Sequence, residues 1–205
     1  MKLIIGLGNP GEQYEKTRHN VGFMVLEQFL KDFESAKDTV WQNSKKFKAD
    51  IAEIEWQPKH GKMEKVILVK PKTYMNNSGM SVDLVAKFYK IQPKDIWVVH
   101  DDVDLRLGTL RIRKGGGSAG HRGIESLLTV LPEGDFWRFR CGIGRPDDTG
   151  KEHMVNHKGI DDFVLGTFNH EERSHLKELI HHSAKALEMA LEEGLESAMN
   201  KYNTK

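Results

Sequence analysis

The sequence predicts one α/β domain whose sheet is mostly parallel, ending in a long C-terminal helix. Three observations predict it. Short apolar runs of strand length alternate with longer stretches of helical periodicity. The chain has 205 residues, which suits one sizeable domain, residues 1–205, better than two. Leu176, Leu179, Ile180, Leu187, Leu191 and Leu195 recur at helical spacing after a possible cap at Asn169.

In order, residues 3–7 read as a buried strand and residues 47–56 as a roughly alternating one, with Ala49, Ile51 and Trp56 as inward positions. Residues 65–70 and 96–100 are apolar runs suited to central strands. Residues 109–113 alternate, and residues 137–143 complete the strands. Between them, Asn20 is placed to cap a helix carrying Phe23, Met24, Leu26, Phe29 and Leu30. A second helix covers residues 78–89, with Val82, Val85, Ala86 and Tyr89 on one stripe and Asn77 or Ser78 as cap. A third covers residues 124–131. No repeat, low-complexity segment or linker interrupts this order.

Composition narrows the function classes. Hydrophobic residues make up 38% of the chain, enough for a packed core and against disorder. The single cysteine, Cys141, rules out an internal disulfide and suits a reducing compartment. No apolar run has the length of a bilayer span or of a signal-peptide core, so the expectation is a soluble, cytoplasmic protein with no membrane partner. The net charge of +1 hides an uneven distribution. Residues 106–145 hold eight basic side chains (Arg106, Arg111, Arg113, Lys114, Arg122, Arg138, Arg140, Arg145) against three acidic ones (Glu125, Glu133, Asp135). Such a segment can meet a polyanion with one face, although ordinary surface charge explains the counts as well.

The first loop, Gly6-Leu7-Gly8-Asn9-Pro10-Gly11, fits G-x-G-x-x-G letter for letter. A dinucleotide site needs a helix directly behind these glycines, so that its first amides meet the pyrophosphate. Residues 12–19 show no apolar periodicity, and Pro10 removes one amide donor. The acidic residues that might hold a ribose, Asp32 and Glu34, fall at the end of a helix instead of a strand. The loop presents Asn9, Tyr14, Thr17, Arg18, His19 and Asn20 beyond a strand end, where α/β folds place their sites.

Three further segments follow the same plan. "KPKTYMNNSG" (70–79) displays Tyr74 and Asn76 after a strand. "VVHDDVDLRLG" (98–108) puts Asp101 and Asp102 at another strand end, where a carboxylate can orient an imidazole and stabilise its cation. Asp101, Asp102 and Asp104 with His100 also suit a hard cation, but strand neighbours point to opposite faces, so the metal reading is the minor one. "RIRKGGGSAGHRG" (111–123) sets Arg111 and Arg113 on one strand face, feeding a glycine loop with a helix behind it. It lacks the Lys-Ser/Thr of a Walker loop. Phosphate contact is the natural use of that combination, with His121 and Arg122 at its end.

Together, "GLGNPGEQYEKTRHNVG", "KPKTYMNNSG", "HDDVDLRLGTLRIRKGGGSAGHRG" and "RFRCGIGRP", with "DDFVLGTF" at residues 161–168, resemble the bacterial-type peptidyl-tRNA hydrolases over most of the chain. The resemblance implies a single α/β domain with a twisted mixed sheet. It implies hydrolysis of the ester joining a peptide to the 3′-terminal ribose of tRNA, recycling tRNA that has dropped off ribosomes. It implies no metal or organic cofactor and a monomer that meets the acceptor stem and 3′ end of its substrate.

Carried over by position, the resemblance makes His19 the catalytic base and Asp101 its carboxylate partner. It makes Asn9 and Asn76 the loop asparagines, Tyr14 and Tyr74 the tRNA-contacting aromatics, and Arg111, Arg113 and Arg140 the phosphate-binding residues. One position departs. Many members have Asn after the histidine of the glycine loop, where this chain has Arg122. Asn accepts as well as donates hydrogen bonds and Arg only donates, so Arg122 suits phosphate better than the positioning of a water. In the implied reaction neutral His19 takes a proton from the attacking water, and an amide of Asn9 or Asn76 meets the oxyanion. The rival classes are a non-catalytic RNA-binding module, a metal-dependent phosphodiesterase built on the three aspartates, and a nucleotide-dependent oxidoreductase.

Overall fold

The computed structural model describes residues 1–32, 39–131, 134–144 and 159–203. Of the residues used above, Glu34, Glu133 and Arg145 lie outside them. Seven strands form one mixed sheet: β1 (Lys2–Gly6), β2 (Gln42–Ser44), β3 (Ala49–Trp56), β4 (Glu64–Pro71), β5 (Ile96–Arg106), β6 (Leu110–Lys114) and β7 (Trp137–Gly144), in the order β2-β3-β4-β1-β5-β7-β6. The middle block β4-β1-β5-β7 is parallel, while β2, β3 and β6 join antiparallel. The runs Ile4-Ile5, Val66 to Val69 and Ile96 to Val99 are buried because helices cover both faces of this block.

The helices are α1 (Val21–Asp32), α2 (Ser78–Tyr89), α3 (Arg122–Val130), α4 (Ile160–Leu165), α5 (Arg173–Glu193) and α6 (Leu195–Tyr202). One core joins Ile4, Val99, Phe139 and Cys141 of the sheet to α1, α5 and α6. The other joins Leu3, Ile5, Ile67 and Val98 to α2 and α3. The backbones of α1 and the sheet come very close. A Cβ on Gly6 would lie 2.5 Å from the Gly22 carbonyl oxygen, and one on Gly22 would lie 2.4 Å from that of Val99. The opening glycines therefore serve helix-on-strand packing, and that packing sets the start of α1 over Val99 of β5, two residues before Asp101.

Several elements differ from the expectation. β3 buries a different face at each end: Ala49 and Ile51 enter one core, Ala52, Ile54 and Trp56 the other, and Glu53 and Glu55 are exposed, so Ala49 and Trp56 do not share a side. β5 runs on to Arg106, with an irregular register after Asp102, so Asp101 and Asp102 sit within the strand where its pairing to β7 breaks. The C-terminal helix is two helices, because Gly194 at φ +91° stops α5 before α6 begins. The short β2 and α4 carry too few residues for a periodic signal.

The caps differ too. Asn20 closes no helix. It lies in a 3₁₀ turn, Arg18–Asn20, and bonds to the first loop instead. Asn77 precedes α2 without a side-chain cap bond, and Ser78 Oγ donates to the Tyr74 carbonyl. Asn169 makes a reciprocal pair with Glu172 in the turn before α5: each side chain accepts the other's backbone N–H. At the sheet edge, the Asn203 side chain accepts the Ile112 N–H at 2.6 Å and donates to the Ile112 carbonyl at 2.8 Å.

Candidate active site

The loops after β1 and β4, the break in β5 and the glycine loop before α3 meet at one end of the sheet. Asn20 Oδ1 accepts the Asn9 N–H at 2.8 Å, and Asn20 Nδ2 donates to the Asn9 carbonyl at 3.0 Å. This pairing folds the first loop back on the turn that carries His19. Asn9 Oδ1 accepts the Met75 N–H at 2.9 Å, tying in the second loop. A Cβ on Gly123 would meet Met75 Sδ at 2.5 Å and His121 Cε1 at 3.0 Å, so α3 closes on the same point.

At the centre is Asp101, 1% exposed. His19 Nδ1 lies 2.9 Å from both of its carboxylate oxygens. His121 Nε2 lies 3.0 Å from Oδ1. His100 Nδ1 lies 2.7 Å from the Asp101 backbone carbonyl. Three imidazoles thus hang on one residue. A carboxylate and a carbonyl only accept, so each of these ring nitrogens carries a proton. His19 is left with its Nε2 lone pair, and its ring lines a cavity of about 220 Å³ with Asp101, Ser118, His121, Arg122 and Asp161.

The electrostatics separate the rings. Burial alone would push the His19 pKa down, but the Asp101 charge and hydrogen bond outweigh it, and the value is raised above 6.5. Burial drives His100 well below 6.5, with His121 adding to the effect, so that ring stays neutral. For Asp101 burial works upward, but the facing His19 and His121 win, and the carboxyl is held well below the usual range. Burial pushes the Cys141 thiol up to about 12, which makes it no candidate nucleophile.

The proposed cation set does not converge: Asp102 Oδ2 accepts from Arg140 Nε at 2.6 Å, its Oδ1 accepts the Asp104 N–H, and His100 is turned to the backbone. His19, Asp101 and His121 do bring one donor atom each within 4.8 Å of one another. However, His121 Nδ1 already accepts the N–H groups of Gly123 and Ile124 at 3.1 and 3.3 Å. A metal on its Nε2 would send the proton to Nδ1, against two donors, whereas ligating histidines normally direct that proton at an acceptor. These residues fit a hydrogen-bonded dyad better than a metal.

The remaining site residues surround this centre. Tyr14 and Tyr74 meet edge to face at 6.4 Å, with Tyr74 52% exposed. Tyr74 has φ +59° and ψ 161°, a region that disfavours any side chain, so the second loop is strained where it presents its ring. Asn76 is exposed in the following turn. Arg111 pairs across the ladder with Arg140, and Arg113 with Arg138, so four arginines share one face of β6 and β7. Arg111 also donates to the Asn203 carbonyl. Arg122 pairs with Asp161 Oδ2 at the cavity mouth, at 2.5 Å.

Two arginines named in the sequence without a structural role hold the site together from buried positions. Arg138 is 3% exposed and donates to the carbonyls of Gly116 and Gly117, both at 2.5 Å, holding the glycine loop from below. Burial, then Arg113 and Arg140, lower its pKa to about 10. The signal was available, since the spacing of two that joins Arg111 to Arg113 also joins Arg138 to Arg140. Arg18, 1% exposed, lies between the rings of Phe163 and Phe168 at 4.5 and 4.6 Å and pairs with Glu172 at 2.7 Å. It clamps α4 and the start of α5 to the turn carrying His19. Nothing local marks an arginine in a polar run as buried.

The family model described as peptidyl-tRNA hydrolase matches residues 3–205. A peptidyl-tRNA hydrolase of Desulfitobacterium hafniense is 43% identical over 206 residues, covering 99% of this chain and 100% of that protein. One of Dichelobacter nodosus is 40% identical over 200 residues, covering 98% and 97%. The crystal structure of peptidyl-tRNA hydrolase from Acinetobacter baumannii superposes with a TM-score of 0.84 at 32% identity, over 100% of this chain and 95% of that one. With the full length matched in sequence and in fold, the chain belongs to the peptidyl-tRNA hydrolase family.

Proposed function

We propose that the protein hydrolyses the ester between peptide and tRNA with His19 as general base, Asp101 as its partner and Asn9 as oxyanion donor. The observation that carries this is the His19–Asp101 contact: Nδ1–H is spent on the carboxylate, so Nε2 is the basic nitrogen beside the cavity. A water held there loses its proton to Nε2 as its oxygen attacks the ester carbonyl. Asp101 stabilises the imidazolium that forms, without taking the proton itself. Collapse of the tetrahedral intermediate releases the 3′-oxygen of tRNA, which receives the proton from Nε2.

Asn9 is favoured over Asn76 for the oxyanion. Its Oδ1 is occupied by the Met75 N–H, so Nδ2 is the amide atom left to donate. Asn76 is exposed on its turn and reads as a substrate contact. The arginine face suits the acceptor-stem phosphates, with Arg113 and Arg140 as its main donors, Arg111 contributing those not used on Asn203, and Arg122 nearest the ester. Tyr14 and Tyr74 offer rings on which an unpaired 3′-terminal base can stack. No described helix is long and apolar enough to cross a membrane, and the protein is proposed to act as a cytoplasmic monomer without metal or organic cofactor.

The test is release of labelled N-acetyl-aminoacyl groups from tRNA, with unblocked aminoacyl-tRNA alongside and EDTA present. Fast cleavage of the blocked substrate alone supports the reading. Binding of tRNA without cleavage would favour a non-catalytic RNA-binding module, and loss of activity to EDTA a metal-dependent enzyme.

A further inference from the structure

His121 begins α3 as its N-cap, an unusual use of a histidine. Its Nδ1 accepts the N–H groups of Gly123 and Ile124, at 3.1 and 3.3 Å. Backbone amides only donate, so Nδ1 is the unprotonated nitrogen and the ring proton sits on Nε2. Nε2 in turn lies 3.0 Å from Asp101 Oδ1. The helix start therefore selects the tautomer, and the tautomer makes the ring a standing donor to the carboxylate that orients His19. The charged and titratable groups facing the ring are Asp101 and His100 of β5, His19 of the 3₁₀ turn, its neighbour Arg122, and Asp161 of α4 paired with Arg122.

We propose that His121 is a positioning residue for hydrolysis: the α3 cap locks its Nε2–H onto Asp101, which fixes the carboxylate for His19 and couples the glycine loop to the dyad. The proposal rests on the reading of His19 as base. With the second donor in place, Asp101 cannot turn away from His19, and part of its charge is drawn to His121. Without it, the carboxylate is freer to move and bears more fully on His19. A change in the glycine loop on nucleic-acid binding reaches the dyad through the same ring.

Two substitutions separate the cap from the dyad contact. His121→Asn keeps an acceptor near the Nδ1 position, and Asn is a strong N-cap, but its side chain is too short for Asp101. His121→Gln restores a donor near the Nε2 position and caps poorly. For His121→Asn the expected result is wild-type thermal stability, kcat down roughly 10- to 100-fold with little change in KM, and the acid limb of kcat/KM moved to higher pH. His121→Gln should recover much of kcat while melting lower. Wild-type kcat and pH profile in the Asn variant, or a folded Gln variant no faster than the Asn one, would overturn the proposal. Imidazole ¹⁵N spectra, with His121 assigned from the Asn variant, test it without turnover: the Nε2–H tautomer supports it and the Nδ1–H tautomer overturns it. That readout fails or holds independently of whether His19 is the base, which His19→Ala tests by itself.

Discussion

The dyad and the arginine face handle charge in opposite ways. At the dyad, one buried carboxylate is surrounded by donors: two imidazole N–H groups reach its oxygens and a third reaches its backbone carbonyl. On β6 and β7 four guanidinium groups face one another in two cross-strand pairs, although like charges placed opposite are unfavourable. Asp102 meets one of them, Arg140, and the glycine-loop carbonyls meet Arg138. The dyad is complete without substrate; the arginine face gains most when a polyanion arrives. The proposed division of labour, chemistry in the first region and affinity in the second, rests on this contrast.

Mutation can break the contrast at either end. The largest effect is expected from Asp101→Asn. The amide has one acceptor oxygen and one donor nitrogen, so an N–H replaces an acceptor beside His19 Nδ1 and the His19 tautomer is no longer fixed. A drop in kcat of about 10⁴-fold is expected, measured by single-turnover release of the labelled acyl group, with circular dichroism reporting the retained fold. A loss of less than tenfold would show that the dyad is not the engine. Next comes Asn9→Ala, for which kcat should fall by about 10²- to 10³-fold, an oxyanion donor's usual worth. If KM alone changed, Asn9 would belong with the affinity residues.

Substitutions on the arginine face should leave kcat near wild type. Arg113→Ala should weaken tRNA binding and reduce the slope of log affinity against log salt by about 0.7 to 0.9, the share of one phosphate contact. Titrating binding at several salt concentrations checks this; an unchanged slope would remove Arg113 from the interface. The smallest effect is on pH. His19 must be neutral to act, and its pKa is raised, so activity is lost as pH falls through that raised value. The acid limb of kcat/KM should therefore lie above pH 6.5. In the residual activity of Asp101→Asn the raising influence of Asp101 is gone and burial remains, so the limb should move to lower pH. A limb that stayed in place would separate it from His19.

The sequence made the loops legible because α/β sites collect at strand ends and these loops are punctuated by Gly, Pro and Asn. His19, Asp101, Asn9 and the loops that join them follow from that placement together with the family resemblance. What stayed hidden depends on contacts remote in sequence. Arg18 is buried by Phe163 and Phe168, some 150 residues on. The Nδ1 of His121 is spent on α3, and nothing in "GGGSAGHRG" separates a histidine that caps from one that binds phosphate. Asn20 had the usual profile of a helix cap, and the first loop claimed it instead. The break at Gly194 was readable as a glycine within a helical pattern, but strong leucine spacing on both sides argued for one rod.

The Asn203 amide has a consequence for solubility. β6 is the last strand of the sheet, and an open strand edge is a template on which a second molecule can add its own strand. Asn203 occupies both backbone groups of Ile112 with one side chain, so a strand added at this edge would lose its ladder bonds at that residue. That side chain is thus placed to oppose edge-to-edge self-association. An Asn203→Ala protein should keep its hydrolase rate yet scatter more light on prolonged warming. Equal scattering from both proteins would show that the edge needs no stopper.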